Sequence, residues 1–178
     1  HYLKKISQKS KELTEKKIEN RKDRKGDGRL KIKSIDFFDQ NGNKIIDVIS
    51  GEYIEMRFFY SINGNINHTN FAFSVELHNS RSENVVTFEG DEMGVVYKEF
   101  KKEGYLSLTI PKINLRGGVY FITFVAREGM TGHGWTVVDE MNYAKELIVI
   151  AGDFWKTGMA NRSSSRALID ASIKKVDN

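Results

Sequence analysis

Cysteine is absent from all 178 residues, and proline occurs once, at Pro111. Without cysteine there are no disulfides, thiolate zinc sites or cysteine nucleophiles, and the chain suits a reducing compartment. No apolar run approaches the roughly 20 residues needed to span a bilayer, and no signal-peptide core is present. A Walker-type glycine loop, a dinucleotide fingerprint and a Gly-x-Ser-x-Gly elbow are also missing. The four histidines, His1, His68, His78 and His133, lack metal-ligand spacing, so neither a metal nor another cofactor is expected. The acid pairs Asp91-Glu92 and Asp139-Glu140 read as neighbours in polar loops. Two carboxylates that cleave a glycosidic bond must instead face one another across a cleft. No catalytic residue is assigned, and the expectation is a protein that binds rather than reacts.

What is present describes a folded domain. The length fits one domain, and 39% hydrophobic with 11% aromatic residues is a globular rather than a disordered composition. Charge is unevenly spread: residues 1–33 hold 13 Lys/Arg against 5 Asp/Glu, leaving 15 against 19 in the rest. Basicity therefore sits in an N-terminal arm. Leu3, Ile6, Leu13 and Lys17 trace a thin helical stripe, and Glu12 to Lys16 is an i,i+4 pair. Residues 1–25 read as a basic, helical or extended tether. Few aromatics interleave with its lysines, so nucleic acid is not the expected partner. The chain begins with His1 rather than Met, which reads as a piece of a longer polypeptide or a tagged form.

Lys25-Gly26-Asp27-Gly28 breaks the helical pattern, and period two follows. Leu30, Ile32 and Ile35 start a strand that ends in the turn Asp39-Gln40-Asn41-Gly42. Ile54, Met56, Phe58 and Tyr60 alternate with Tyr53, Glu55, Arg57 and Phe59. Phe71, Phe73, Val75 and Leu77 point inward, and Ala72, Ser74, Glu76 and His78 outward. Short strands are predicted at residues 85–88 and 106–110, with an irregular charged stretch over 91–103 between them. A long strand at 119–127 and a last one at 144–150 complete about seven segments, with no core-length helix. Parallel α/β folds need helical crossovers, so the fold class is all-β. It reads as an immunoglobulin-like antiparallel β-sandwich of Greek-key or jelly-roll type over residues 26–158, followed by a tail at 159–178.

Leu115-Arg116-Gly117-Gly118-Val119-Tyr120 places Tyr120 where a tyrosine corner would pin an arch. Phe121 and Val125 lie opposite Tyr120, Ile122 and Phe124, so both faces of that strand are apolar. Such an outer face is covered, forms a subunit interface, or is a ligand platform. Trp135 adjoins the Gly-rich residues 129–134, where its ring either stacks on a sugar or anchors the loop. Phe154 and Trp155 read as hydrophobic plugs or interface residues.

The order of these features resembles a known family. Arg24-Lys25-Gly26-Asp27-Gly28, then Leu30-Lys31-Ile32 and Asp39-Gln40-Asn41-Gly42, resemble its opening. Gly51-Glu52-Tyr53-Ile54 with Phe58 and Tyr60 looks like its second strand, and Phe71-Ala72-Phe73-Ser74-Val75 like its third. Leu115-Arg116-Gly117-Gly118-Val119-Tyr120 is similar to its L-x-P-G-x-Y turn, with Gly117 in place of proline. Gly152-Asp153-Phe154-Trp155-Lys156-Thr157-Gly158 resembles its closing segment. Together, over about residues 24–158, these are similar to the C-terminal domain of Wzt-type ATP-binding subunits of O-antigen polysaccharide ABC transporters.

The resemblance implies an immunoglobulin-like sandwich that recognises lipid-linked O-antigen polysaccharide in the cytoplasm, peripheral to the inner membrane. It implies a homodimer with exchange of a terminal strand, and contact with a membrane permease through an ATPase domain outside this sequence. ATP hydrolysis would belong to that domain. The alternative is a dimerisation or docking module without glycan binding. Site residues do not transfer by motif, so strand parity supplies the candidates: Ser74, Glu76, His78, Phe121, Thr123 and Arg127 on one outer face, with Trp135. Polar groups over an aromatic floor suit a neutral glycan.

Overall fold

The structure is a computed structural model that describes residues 17–130, 134–162 and 166–175. Among them are nine strands: β1 Leu30–Phe38, β2 Lys44–Ile45, β3 Asp47–Ile49, β4 Ile54–Ile62, β5 Phe71–Asn79, β6 Asn84–Glu89, β7 Glu103–Ile110, β8 Gly118–Met130 and β9 Gly134–Ile150. They form two sheets, a four-stranded one in the order β2-β1-β4-β7 and a five-stranded one in the order β3-β9-β8-β5-β6. The expected immunoglobulin-like β-sandwich is present. All pairs are antiparallel except β3 with β9, which run parallel and align Asp47 with Ile148 and Ile49 with Ile150. No helix among the described residues is long and apolar enough to cross a membrane.

Period-two patterning builds the core. In β4, Ile54, Met56, Phe58 and Tyr60 are buried while Glu55, Arg57 and Phe59 stay partly exposed. Phe58 crosses between the sheets and meets Phe73 edge-on at 5.0 Å and Phe124 at 6.1 Å. Such pairs add about 0.5–1.5 kcal/mol beyond the area they bury. At the arch before β8, the Tyr120 hydroxyl donates to the Arg116 carbonyl at 2.8 Å, the predicted tyrosine corner. The gap between edge strands β6 and β7 is closed by residues 91–102. There Tyr97 and Phe100 pack their rings on Phe71 at 4.9 and 4.8 Å.

Three expectations change. The two ends of the Gly-rich segment are strand rather than loop, with Gly129 opposite Trp135 and Met130 opposite Gly134, while residues 131–133 lie outside the described residues. Trp135 is thus a strand residue. Gly129 permits this approach, because a Cβ there would lie 2.4 Å from the Gly134 carbonyl oxygen. Asp139 and Glu140 sit in β9 rather than in a loop, and Asp139 is fully buried.

The arm also differs. The helical stripe predicted over residues 3–17 lies, apart from Lys17, outside the described residues. Residues 18–28 pack against the sandwich. Ile18 is buried in a single 3₁₀ turn, Ile18–Asn20, beside β1. Lys25 and Glu140 exchange backbone hydrogen bonds at 3.0 and 2.9 Å, and the Gly28 amide donates to the Val138 carbonyl. Gly26 passes so close to β9 that a Cβ would lie 2.4 Å from the Val138 oxygen, at φ +109°. That contact is the physical reason for the Gly-acid-Gly opening. At the other end, Ala167 pairs with Leu115, the Leu168 amide donates to the Asn114 carbonyl at 2.6 Å, and the Leu168 side chain is buried.

Candidate functional site

All seven candidate residues lie on the outer face of the five-stranded sheet. The register of β5 with β8 sets Ser74 against Val125, Glu76 against Thr123 and His78 against Phe121, with Arg127 further along the same row of β8. Trp135 joins from β9 opposite Gly129. The residues do not form one cluster. At about 3.4 Å per residue, Phe121 and Arg127 are about 20 Å apart along β8, and each anchors its own group.

At the hairpin end, the Arg127 guanidinium lies over the Trp135 ring, 4.5 Å from its centre. It also pairs with Glu89 at 3.1 Å and Asp91 at 3.2 Å. Glu89 in turn accepts the Ser74 hydroxyl. Arg127 and Glu89 are only partly exposed, and Ser74 beneath them is 2% exposed. Trp135, at 52%, is the open surface of this group.

The second group is built on a bulge. Ile122 pairs with Lys145 and Phe124 with Met141, so residues 142–144 of β9 stand opposite Thr123 alone. Tyr143 takes up the extra length at φ +51°, a left-handed conformation uncommon for a bulky residue. Its amide donates to Thr123 Oγ1 at 3.1 Å. Its ring meets Phe121 edge-on at 6.0 Å and His78 edge-on at 5.5 Å. His78 Nε2 is bonded to Glu76 at 2.8 Å, while its Nδ1 is buried without a hydrogen-bond partner.

This arrangement corrects the expectation that every outward residue is available. Ser74, Phe121 and Thr123 form a buried floor. Glu76, His78, Arg127, Trp135 and the added Tyr143 form the partly exposed layer above it. Tyr143 gave no signal in the sequence, because the bulge resets parity within β9.

The outer face of the four-stranded sheet carries aromatics as well. Arg57 lies over Phe38 at 3.9 Å and near Tyr105 at 5.1 Å, and Tyr105 contacts Phe59 at 5.5 Å. Arg57 also holds the Glu55 carboxyl below its ordinary range, with Ser107 donating to the same group at 2.6 Å. Beside them lies an open groove of about 460 Å³ lined by Lys33, Phe59, Ser61, Glu103 and Tyr105. Parity had placed Arg57 and Phe59 outward, but without any sign that Phe38 and Tyr105 would join them.

Both faces offer rings and hydrogen-bonding groups. Neither gathers a set of His, Asp or Glu side chains able to hold a metal ion among the described residues. No curated protein sequence matches the chain. The solved structure described as "Crystal structure of the C-terminal domain of wzt" shares its fold, with a TM-score of 0.68 over 88% of this chain and 90% of that one, at 12% identity. The family model of the Wzt C-terminal domain matches residues 21–161, from the packed part of the arm through both sheets to the start of the tail. With the match spanning most of the sequence and the fold agreeing, the chain belongs to the Wzt C-terminal domain family.

Proposed function

We propose that this domain recognises O-antigen polysaccharide, without catalysis, on the outer face of its five-stranded sheet. The Wzt C-terminal domain is a non-catalytic domain, and family membership implies an ABC-transporter context. The observation that carries the reading is the layered face itself, in which exposed rings and polar groups stand over a packed floor. Among the described residues, Arg127 is already met by two carboxylates and Lys25 by Glu140, so these two cations do not call for an acidic ligand. Hydroxyl-rich, uncharged sugars fit such a surface through hydrogen bonds and C–H contacts with rings.

In this reading the chain works beside the inner membrane in the cytoplasm, as the glycan-recognising part of the ATP-binding subunit. Residues before Ile18 lead toward the ATPase domain, which engages the permease. Residues 26–158 remain the proposed sandwich unit, with the packed segment 18–25 added at its start. A homodimer is supported by an aliphatic patch on the same sheet. Val119 stands opposite Ile148 and Ile49 opposite Ile150, and all four are exposed. A patch of this kind favours burial against a second copy. The terminal segment that pairs at Leu115 is the element available for strand exchange.

Amide chemical-shift mapping tests the location. The O-polysaccharide freed from lipid A by mild acid should perturb His78, Thr123, Arg127 and Trp135. Shifts confined to Phe59, Ser61 and Tyr105 would move the site to the opposite sheet.

A further inference from the structure

Tyr143 is the costliest backbone feature of the candidate face. A bulky residue at positive φ is disfavoured and persists only where its surroundings over-determine it, and such residues cluster at functional sites. Two sets of contacts hold it here. From the sheet side, Thr123 Oγ1 accepts its amide hydrogen at 3.1 Å. From the arm, the Arg21 guanidinium donates to the Tyr143 carbonyl at 2.7 Å and to the Asn142 carbonyl at 2.6 Å. The Arg21 side chain is wholly buried and is itself fixed by Asp23 through bonds of 2.9 and 2.6 Å. Two bonds from a planar, preorganised fork fix both peptide groups that flank the Tyr143 Cα. Tyr143 carries the aromatic ring of the bulge, edge-on to both Phe121 and His78.

We infer that Tyr143 is the ligand-contacting ring at this end of the face, and that Arg21, on the arm, is its positioning residue. The inference rests on the glycan reading above and adds to it a link between arm and site. Anything that displaces Arg21 frees the bulge to relax and withdraws the ring. By linkage, a glycan held against Tyr143 favours the docked arm.

The test is a double-mutant cycle in affinity and thermal stability, using the full chain and the acid-released O-polysaccharide of the bacterium that carries this gene. Arg21→Ala and Tyr143→Ala should each weaken binding by about tenfold or more at a temperature where the protein is folded. Because Arg21 acts through the ring, adding Arg21→Ala to Tyr143→Ala should leave affinity where the single variant has it, while still lowering the melting temperature. Tyr143→Gly separates function from folding without touching the buried charge. Glycine is at ease at this φ, so its melting temperature should be unchanged or higher while affinity falls. Tyr105→Ala on the other sheet should bind as the wild type does. The inference is overturned if Arg21→Ala binds normally, if its effect on affinity is as large in the Tyr143→Ala background, or if Tyr143→Gly binds normally. Wild-type protein that binds no glycan at all would instead overturn the glycan reading, and this inference with it.

Discussion

Asp139 of β9 accepts the backbone amide of Ile32 of β1 at 2.7 Å, joining the two sheets through a fully buried carboxylate. Arg24 Nε lies 2.9 Å from the other oxygen, but out of line for a hydrogen bond. Burial is the largest influence and pushes the Asp139 carboxyl up to about 6, while the Ile32 amide and Arg24 pull more weakly the other way.

A pH dependence follows from that carboxyl. Its folded value exceeds the unfolded one of about 3.9, so between about pH 4 and 6 the folded state binds more protons, and stability falls as pH rises. The difference is about 3 kcal/mol across the window. Asp39, Glu55 and Asp153 are shifted downward by their hydrogen bonds. The stability they supply is therefore lost only at lower pH. Melting temperature should rise from pH 7 to pH 5 and turn down below about pH 4. Asp139→Asn, which keeps an acceptor for Ile32, should flatten the upper slope. An unchanged slope in that variant would show that another group titrates.

Tyr120→Phe removes the hydroxyl bond to Arg116 and nothing else. A loss of about 1 kcal/mol is expected, which for a domain of this size is a drop of about 2–4 °C in thermal melting. Glycan affinity should not change. A loss of binding without a loss of stability would contradict the purely structural role.

Ile148→Lys puts a charge in the middle of the aliphatic patch. Sedimentation at several concentrations should report dimer for the wild type and monomer for the variant, with the monomer still folded. A variant that dimerises as well as the wild type would assign the interface elsewhere.

Much of the fold was legible because period-two alternation and turn residues agree. Residues in β4 and β7 follow the rule that one face is buried, and Asp39 forms the turn its position implies, accepting the amides of Asn41 and Asn43. Legibility failed where a local rule had two solutions. Gly129 and Gly134 suit a loop, and they equally suit a close ribbon at φ +137° and +85°. Asp139 read as a polar turn because a buried charge depends on partners distant in sequence, Ile32 and Arg24. The candidate face was found by parity, yet its depth was not. Whether Ser74 or Thr123 is reachable depends on Glu89 and Tyr143, which lie on neighbouring strands. The arm hid its role for the same reason, since the carbonyls that Arg21 grips are about 120 positions away.

Trp135→Ala and Arg127→Ala examine the hairpin end of the face. The Trp135 ring is half exposed and its main neighbour is the Arg127 guanidinium. Its truncation should therefore change the melting temperature little while weakening glycan binding. Arg127→Ala removes the cation that Glu89 and Asp91 share, so it should both destabilise the protein and weaken binding. Equal binding by Trp135→Ala and the wild type would confine the site to the His78 and Tyr143 end.

The central claim is glycan recognition on the five-stranded face, and isothermal titration of the acid-released O-polysaccharide into the wild-type domain tests it most directly. Saturable binding in the micromolar to millimolar range, weakened by His78→Ala and Trp135→Ala and unaffected by Tyr105→Ala, is the predicted result. A folded domain that gives no binding heat and no competition with its own strain's polysaccharide would contradict the account.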